Sequence, residues 1–192
     1  MKVLSEKFYA RSPVTVARDL LGKVFVYGKC KGVIVETEAY LGENDPGAIG
    51  ARKVKNIPKA LLNPPGHSFV YFTYGNHWMF NVIAKTGQLG AVLIRAIEPI
   101  EGFDLMKKRR GADGVENLTN GPGKWTQAFG IDKSLNEVKL DKKDYCILHS
   151  NNKPEIVSDA RIGLSKDFPE NSKMRNLRFY IKGNPFVSKV KK

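Results

Sequence analysis

Three strand-like stretches of the sequence each carry polar groups where apolar ones are expected. In VIVETEAYLGEND (33–45), Glu36, Glu38 and Tyr40 alternate with Val35, Thr37 and Ala39. Side chains alternate across a strand, so the two acids and the phenol share one face. In AVLIRAIEP, Arg95 is the only charge before Glu98 and shares a face with Ala91, Leu93 and Ile97. In HWMFNVIA, Asn81 shares a face with Met79 and Ile83. Buried carboxylates are costly without partners, and a guanidinium in an apolar strand needs a carboxylate, phosphate or carbonyl. Each group alone fits a solvated edge strand or a satisfied core hydrogen bond. Together, in neighbouring strands, they read as the floor of one polar pocket.

Aromatic residues stand beside that pocket. SFVYFTYGNHWMFN reads as a hairpin about Tyr74-Gly75-Asn76, with Gly75 and Asn76 able to supply the positive φ angles of a tight turn. Tyr74 then lies at the tip. It either folds back onto the sheet or serves as a wedge that enters a stack of bases. Tyr71, with Tyr40, could sandwich a flat ligand. In LTNGPGKWTQAFG, Gly121, Gly123 and Lys124 open a short helix and could hold a phosphate through backbone N–H groups. The stretch does not satisfy the phosphate-loop pattern, and an ordinary capped helix accounts for it equally well.

The elements that must position these residues follow from periodicity. Ser12-Pro13 starts a helix that Gly22 stops, with Val14, Ala17 and Leu21 on its buried face and Leu20 alongside. Strands are predicted at 23–27, 32–40, 68–74, 77–84 and 90–97, and one in the tail LRFYIKGNPFVS before a turn at Gly183. A helix is predicted from about Ile100 to Arg110, with acids in its first turn and KKRR in its last, and another over Pro122–Phe129. Strand runs with segregated helices predict an α+β fold: one mixed domain over 1–192 with a curved, mostly antiparallel, open-barrel-like sheet, peripheral helices and a protruding hairpin. No strand is followed by the dinucleotide-binding glycine pattern.

Composition narrows the classes. The chain has 192 residues, 42% hydrophobic and 27% charged, enough for one good core. No apolar run is long enough to span a bilayer, and the start lacks a signal-peptide core, so a soluble cytoplasmic monomer is expected. Cys30 and Cys146 are far apart, and the three histidines lack ligand spacing. The expected chemistry uses no metal and no cofactor. The net charge of +13, spread along the chain, suits a polyanion such as nucleic acid.

VETEAYLG with Asp45-Pro46 after it, YFTYGNHWMFNV, GAVLIRAIEP, LTNGPGKWTQAFGI and LRFYIKGNPFVS together resemble the alkyladenine (3-methyladenine) DNA glycosylases of the methylpurine type, from about Leu4 to Ser188. The resemblance implies a monofunctional base-excision enzyme acting on double-stranded DNA with damaged purines. It implies Glu38 as general base, Tyr40 and Tyr71 stacking on a flipped base, Tyr74 as the intercalating wedge and Asn81 as a residue discriminating among purines. Arg95 and the carbonyl of Ile162, in DARIG, would contact the attacking water. The implied substrates are 3-methyladenine and 7-methylguanine, with hypoxanthine and ethenoadenine as further candidates. One position departs from the pattern: Ile49 stands where the family has a histidine, and isoleucine packs on a base but cannot hydrogen-bond it. The competing expectations are a catalytically silent nucleic-acid-binding module on the same scaffold, an RNA-modifying or formyl-transfer enzyme, and a DNA-bending protein.

Overall fold

The long strand β2 (Cys30–Tyr40) organises the molecule, because its apolar positions face two sides of a sheet at once. The computed structural model describes residues 1–48, 57–73, 75–87 and 89–189. Ile49 and Tyr74 lie outside the described residues. On one side β2 pairs with β5 (Ala91–Glu101) along nearly its whole length. On the other it pairs first with β1 (Val24–Tyr27), through Cys30–Val33, and then with β9 (Arg178–Ile181), through Glu36–Glu38. The main path runs β3-β4-β5-β2-β1-β7-β6, with β3 (Ser68–Thr73), β4 (His77–Ile83), β6 (Asp141–Lys142) and β7 (Tyr145–Leu148). β8 (Ile156–Asp159) pairs with β9, and every pairing is antiparallel. The result is a single mixed domain with a curled half-barrel sheet, of the predicted α+β class.

Two bulges sit side by side where β2 changes partner. Ile34 pairs with Ile97 and Glu36 with Ala96, so Val35 is an extra residue in β2. Thr37 then pairs with Ile94, so Arg95 is an extra residue in β5. Bulges bend strands and re-aim side chains. Here they bring Arg95 against the acids of β2.

Among the described residues, four helices flank the sheet. After α1 (Glu6–Tyr9), α2 (Pro13–Leu20) starts at Pro13 as predicted and buries Val16, Ala17 and Leu20. Leu21 is buried as expected, but Val14 is only half-buried, because the inward stripe passes through Val16. Thr37 Oγ1 donates to Ala17 O at 2.8 Å and fixes the helix to β2. The helix expected from Ile100 instead begins at Phe103: β5 continues through Glu101, and Gly102, at φ +89°, turns the chain into α3 (Phe103–Arg110). Only Asp104 is then acidic in its first turn. In α4 (Pro122–Phe129), Trp125 Nε1 donates to Ile94 O at 2.9 Å, and its ring packs edge-on against Phe25 and Phe80. Of the two turn residues in the hairpin, Gly75 alone adopts positive φ, +71°.

Tyr9 is buried in this core, and its hydroxyl has no hydrogen-bond partner among the described residues. Burial pushes the phenols of Tyr9 and Tyr145 far above the usual tyrosine range. The folded chain therefore keeps protons that the unfolded chain releases above about pH 10. This contribution to stability is complete below that pH and is lost as pH rises from there toward the raised folded-state value. Melting curves across this range will show that loss. Tyr9→Phe will soften it while changing stability at neutral pH by about 1 kcal/mol or less. An unchanged alkaline slope in Tyr9→Phe contradicts the assignment.

Candidate active site

Strand register places the site. Phe69, Asn81, Leu93, Glu38 and Arg178 form one continuous row of paired residues across β3, β4, β5, β2 and β9. Paired residues in a sheet point to the same face. A cavity of about 310 Å³ opens over this row. Tyr40, Tyr71, Asn81, Arg95 and Ile162 line it, with Leu61, Phe69, Met79 and Leu93 as apolar walls.

Glu38 does not itself line the cavity: it is fully buried and is held by three donors from residues that do. Tyr40 Oη donates to Oε2 at 2.8 Å, the Ile162 backbone N–H donates to Oε1 at 2.7 Å, and Arg95 Nη1 lies 3.1 Å from Oε2. Arg95 also donates through Nε to Glu36 Oε1 at 3.2 Å. One guanidinium thus joins both carboxylates. Glu36, fully buried, also accepts from Arg178 Nε at 2.7 Å and from the Ser188 N–H at 2.8 Å and hydroxyl. Arg178 reaches on to Asp159 at 3.3 Å. Two buried acids are therefore met by two buried guanidiniums, the condition under which such charges are tolerated.

The ionisation states are biased by these neighbours. Burial, then the charge of Glu38, hold the Tyr40 phenol well above its usual range, against the smaller pull of Arg161 and Arg95. Tyr40 therefore stays protonated and donates at physiological pH. Burial pulls the Arg95 guanidinium down, but the charges of Glu38 and Glu36 outweigh it, and the net shift is upward.

Glu38, Arg95, Ile162, Tyr40, Tyr71 and Asn81 come together at one place. Asn81 Nδ2 donates to Phe69 O at 3.1 Å, which fixes its amide plane at the cavity wall. The Tyr71 ring lies 5.1 Å from that of Phe69. The segment carrying Gly121, Gly123 and Lys124 reaches the cavity rim through Pro122. Gly123 serves close packing: a Cβ there would lie 2.5 Å from the His77 ring, so α4 can approach β4 only without one. Lys124 donates to Asn120 Oδ1 at 2.8 Å. Burial, then Arg110 and Lys189, lower its ammonium pKa.

Sequence reasoning assigned no role to Arg178, Asp45 or Arg161. Arg178 carried the same signal as Arg95, a lone charge in the apolar stretch LRFYI. Asp45 and Arg161 form a buried pair at 2.7 Å beside Tyr40, and their only sequence trace is position within EAYLGEND and DARIG.

The fold and site define a one-domain protein with a buried, paired acid held by residues that line an aromatic cavity. Residues 7–185 match the family model of methylpurine-DNA glycosylase, and the chain belongs to that family of DNA-repair glycosylases. It is 42% identical to a protein of Methanoculleus marisnigri, covering 97% of this chain and 98% of that one. It is 42% identical to one of Clostridium acetobutylicum over the full length of both, and 39% identical to one of Chlorobaculum tepidum over 99% and 92%. All three carry the name "Putative 3-methyladenine DNA glycosylase".

Removing one partner of a buried ion pair strands the other. Arg178→Met should cost about 3 kcal/mol in urea unfolding. A loss below about 1 kcal/mol would mean that Arg95 and Ser188 satisfy Glu36 without it.

Proposed function

We propose that the chain excises alkylated purines from double-stranded DNA by direct hydrolysis, with Glu38 as the general base. The observation that carries this reading is the Glu38 carboxylate, fully buried and oriented by Tyr40, Arg95 and the Ile162 N–H, three groups from residues that line the aromatic cavity. The names of the relatives support the same substrate class.

Tyr74 enters the base stack and the damaged nucleotide rotates into the cavity between Tyr40 and Tyr71. Extrusion costs a few kcal/mol, and least at a weakly paired lesion. Glu38 takes a proton from a water placed against C1′, with Arg95 and the Ile162 carbonyl fixing that water. The water oxygen bonds to C1′ as the C1′–N bond breaks, and the electron pair leaves with the purine. The sugar passes through an oxocarbenium-like state that the carboxylate also stabilises. A cationic base such as 3-methyladenine or 7-methylguanine leaves as a neutral molecule, so these are the primary substrates. Neutral hypoxanthine or ethenoadenine needs a proton, and Ile49 supplies none. Asn81 discriminates among purines at the cavity wall. Gly121, Gly123 and Lys124 contact phosphate at the rim. The products are a free base and an abasic site, without a strand-cleaving step. The chain acts as a monomer.

Glu38→Gln tests the role directly. Release of methylated bases should fall by about 10² to 10⁴-fold, while affinity for lesion-containing duplex stays within a few-fold. Full activity in this variant refutes the reading. Tyr74→Ala should weaken binding to that duplex by about 1–3 kcal/mol, read by titration, without lowering the melting temperature. A lower melting temperature with unchanged binding would return Tyr74 to a packing role.

A further inference from the structure

We infer that the buried Asp45–Arg161 pair is a positioning device that sets the Tyr40 phenol and the Ile162 amide against Glu38. This rests on the role proposed for Glu38. Both side chains are fully buried. Arg161 Nη1 and Nη2 each donate to Asp45 at 2.7 Å, a two-pronged pairing that fixes the guanidinium plane. Nη1 also donates to Ala39 O at 3.1 Å, next to Tyr40. The guanidinium carbon stands 4.7 Å from the centre of the Tyr40 ring and 5.4 Å from that of Phe168. Asp45 in turn accepts from the Leu41 N–H at 3.1 Å and the Gly47 N–H at 2.9 Å, which folds the loop carrying Gly42, Gly47 and Ala48 into the cavity wall. The loop closes on the pair because residue 47 is glycine: a Cβ there would lie 2.7 Å from Arg161 Nη2.

Three pieces of chain therefore meet at one ion pair: the end of β2, the wall loop and the 161–163 turn. Two of them supply donors to Glu38. Tyr40 gives its hydroxyl, and Ile162, the residue after Arg161, gives its N–H. Arg161 touches neither the cavity nor Glu38 in this arrangement, so its influence passes through the ring it stacks on and the peptide it precedes. A lysine keeps the charge and an ion pair with Asp45. It loses the second prong, the bond to Ala39 and the flat contact with Tyr40.

The test is Arg161→Lys, with Asp45→Asn as a second variant, beside wild type and Glu38→Gln. Three readouts are taken below the melting temperature of each: single-turnover release of 3-methyladenine against pH, affinity for duplex carrying a pyrrolidine abasic analogue, and the Ile162 amide resonance. Arg161→Lys should lower the single-turnover rate by roughly 10- to 100-fold and move the acid limb of the profile toward neutral pH, with affinity within a few-fold. The Ile162 amide proton, held downfield by its carboxylate partner, should move to the position it takes in Glu38→Gln. Asp45→Asn should shift the rate and the resonance in the same directions. Wild-type rate and profile in Arg161→Lys, or an Ile162 amide left in place, overturn the inference and make the pair a structural staple. If wild type itself releases no base, the glycosylase reading falls, and the amide resonance still decides whether the pair positions Ile162.

Discussion

Everything in this structure leans on one arrangement: two carboxylates buried in a core strand and joined by one guanidinium. Burying Glu36 and Glu38 without partners would cost several kcal/mol each. Arg95 meets both, Arg178 and Ser188 complete Glu36, and Tyr40 and Ile162 complete Glu38. Ion pairs of this kind rarely add net stability. What this one does is hold the Glu38 carboxylate at a fixed, buried point behind the wall of an aromatic cavity.

The scaffold is shaped around that need. A regular ladder would place Val35 and Arg95 in step with their neighbours. Instead an extra residue in each strand shifts the register twice within three positions, and the acids and the guanidinium come into reach. The same point is where β2 exchanges β1 for β9, which delivers Arg178 to Glu38's row and Glu36's carboxylate. The tail after β9 then returns Ser188 to Glu36. Distant parts of the sequence are committed to one small polar centre.

Much of this was legible beforehand. Alternation in VETEAY put Glu36, Glu38 and Tyr40 on one side, and isolation in apolar strands marked Arg95 and Asn81, because a lone polar group in a hydrophobic run must have a partner. The α+β class followed from strand runs with segregated helices. Other features were hidden for physical reasons. The bulges leave no mark in a two-residue period. β6, β7 and β8 are only two to four residues long, and β6 is polar and β8 partly so, so their pairing comes from tertiary context. The start of helix α3 is not legible locally because Ile100 and Glu101 suit either state, and the positive φ of Gly102 decides the boundary. Val16, not Val14, faces the sheet because of how α2 is rotated as it packs. The Asp45–Arg161 pair joins residues more than a hundred positions apart, which no local pattern can announce.

A crystal structure of the chain on duplex DNA containing a positively charged pyrrolidine abasic analogue is the most direct measurement. The account predicts the analogue inside the cavity, with one water bridging its ring to a Glu38 oxygen at about 3 Å and Arg95 still on the same carboxylate. An analogue bound outside the cavity, or a Glu38 with no water path to the sugar ring, would contradict it.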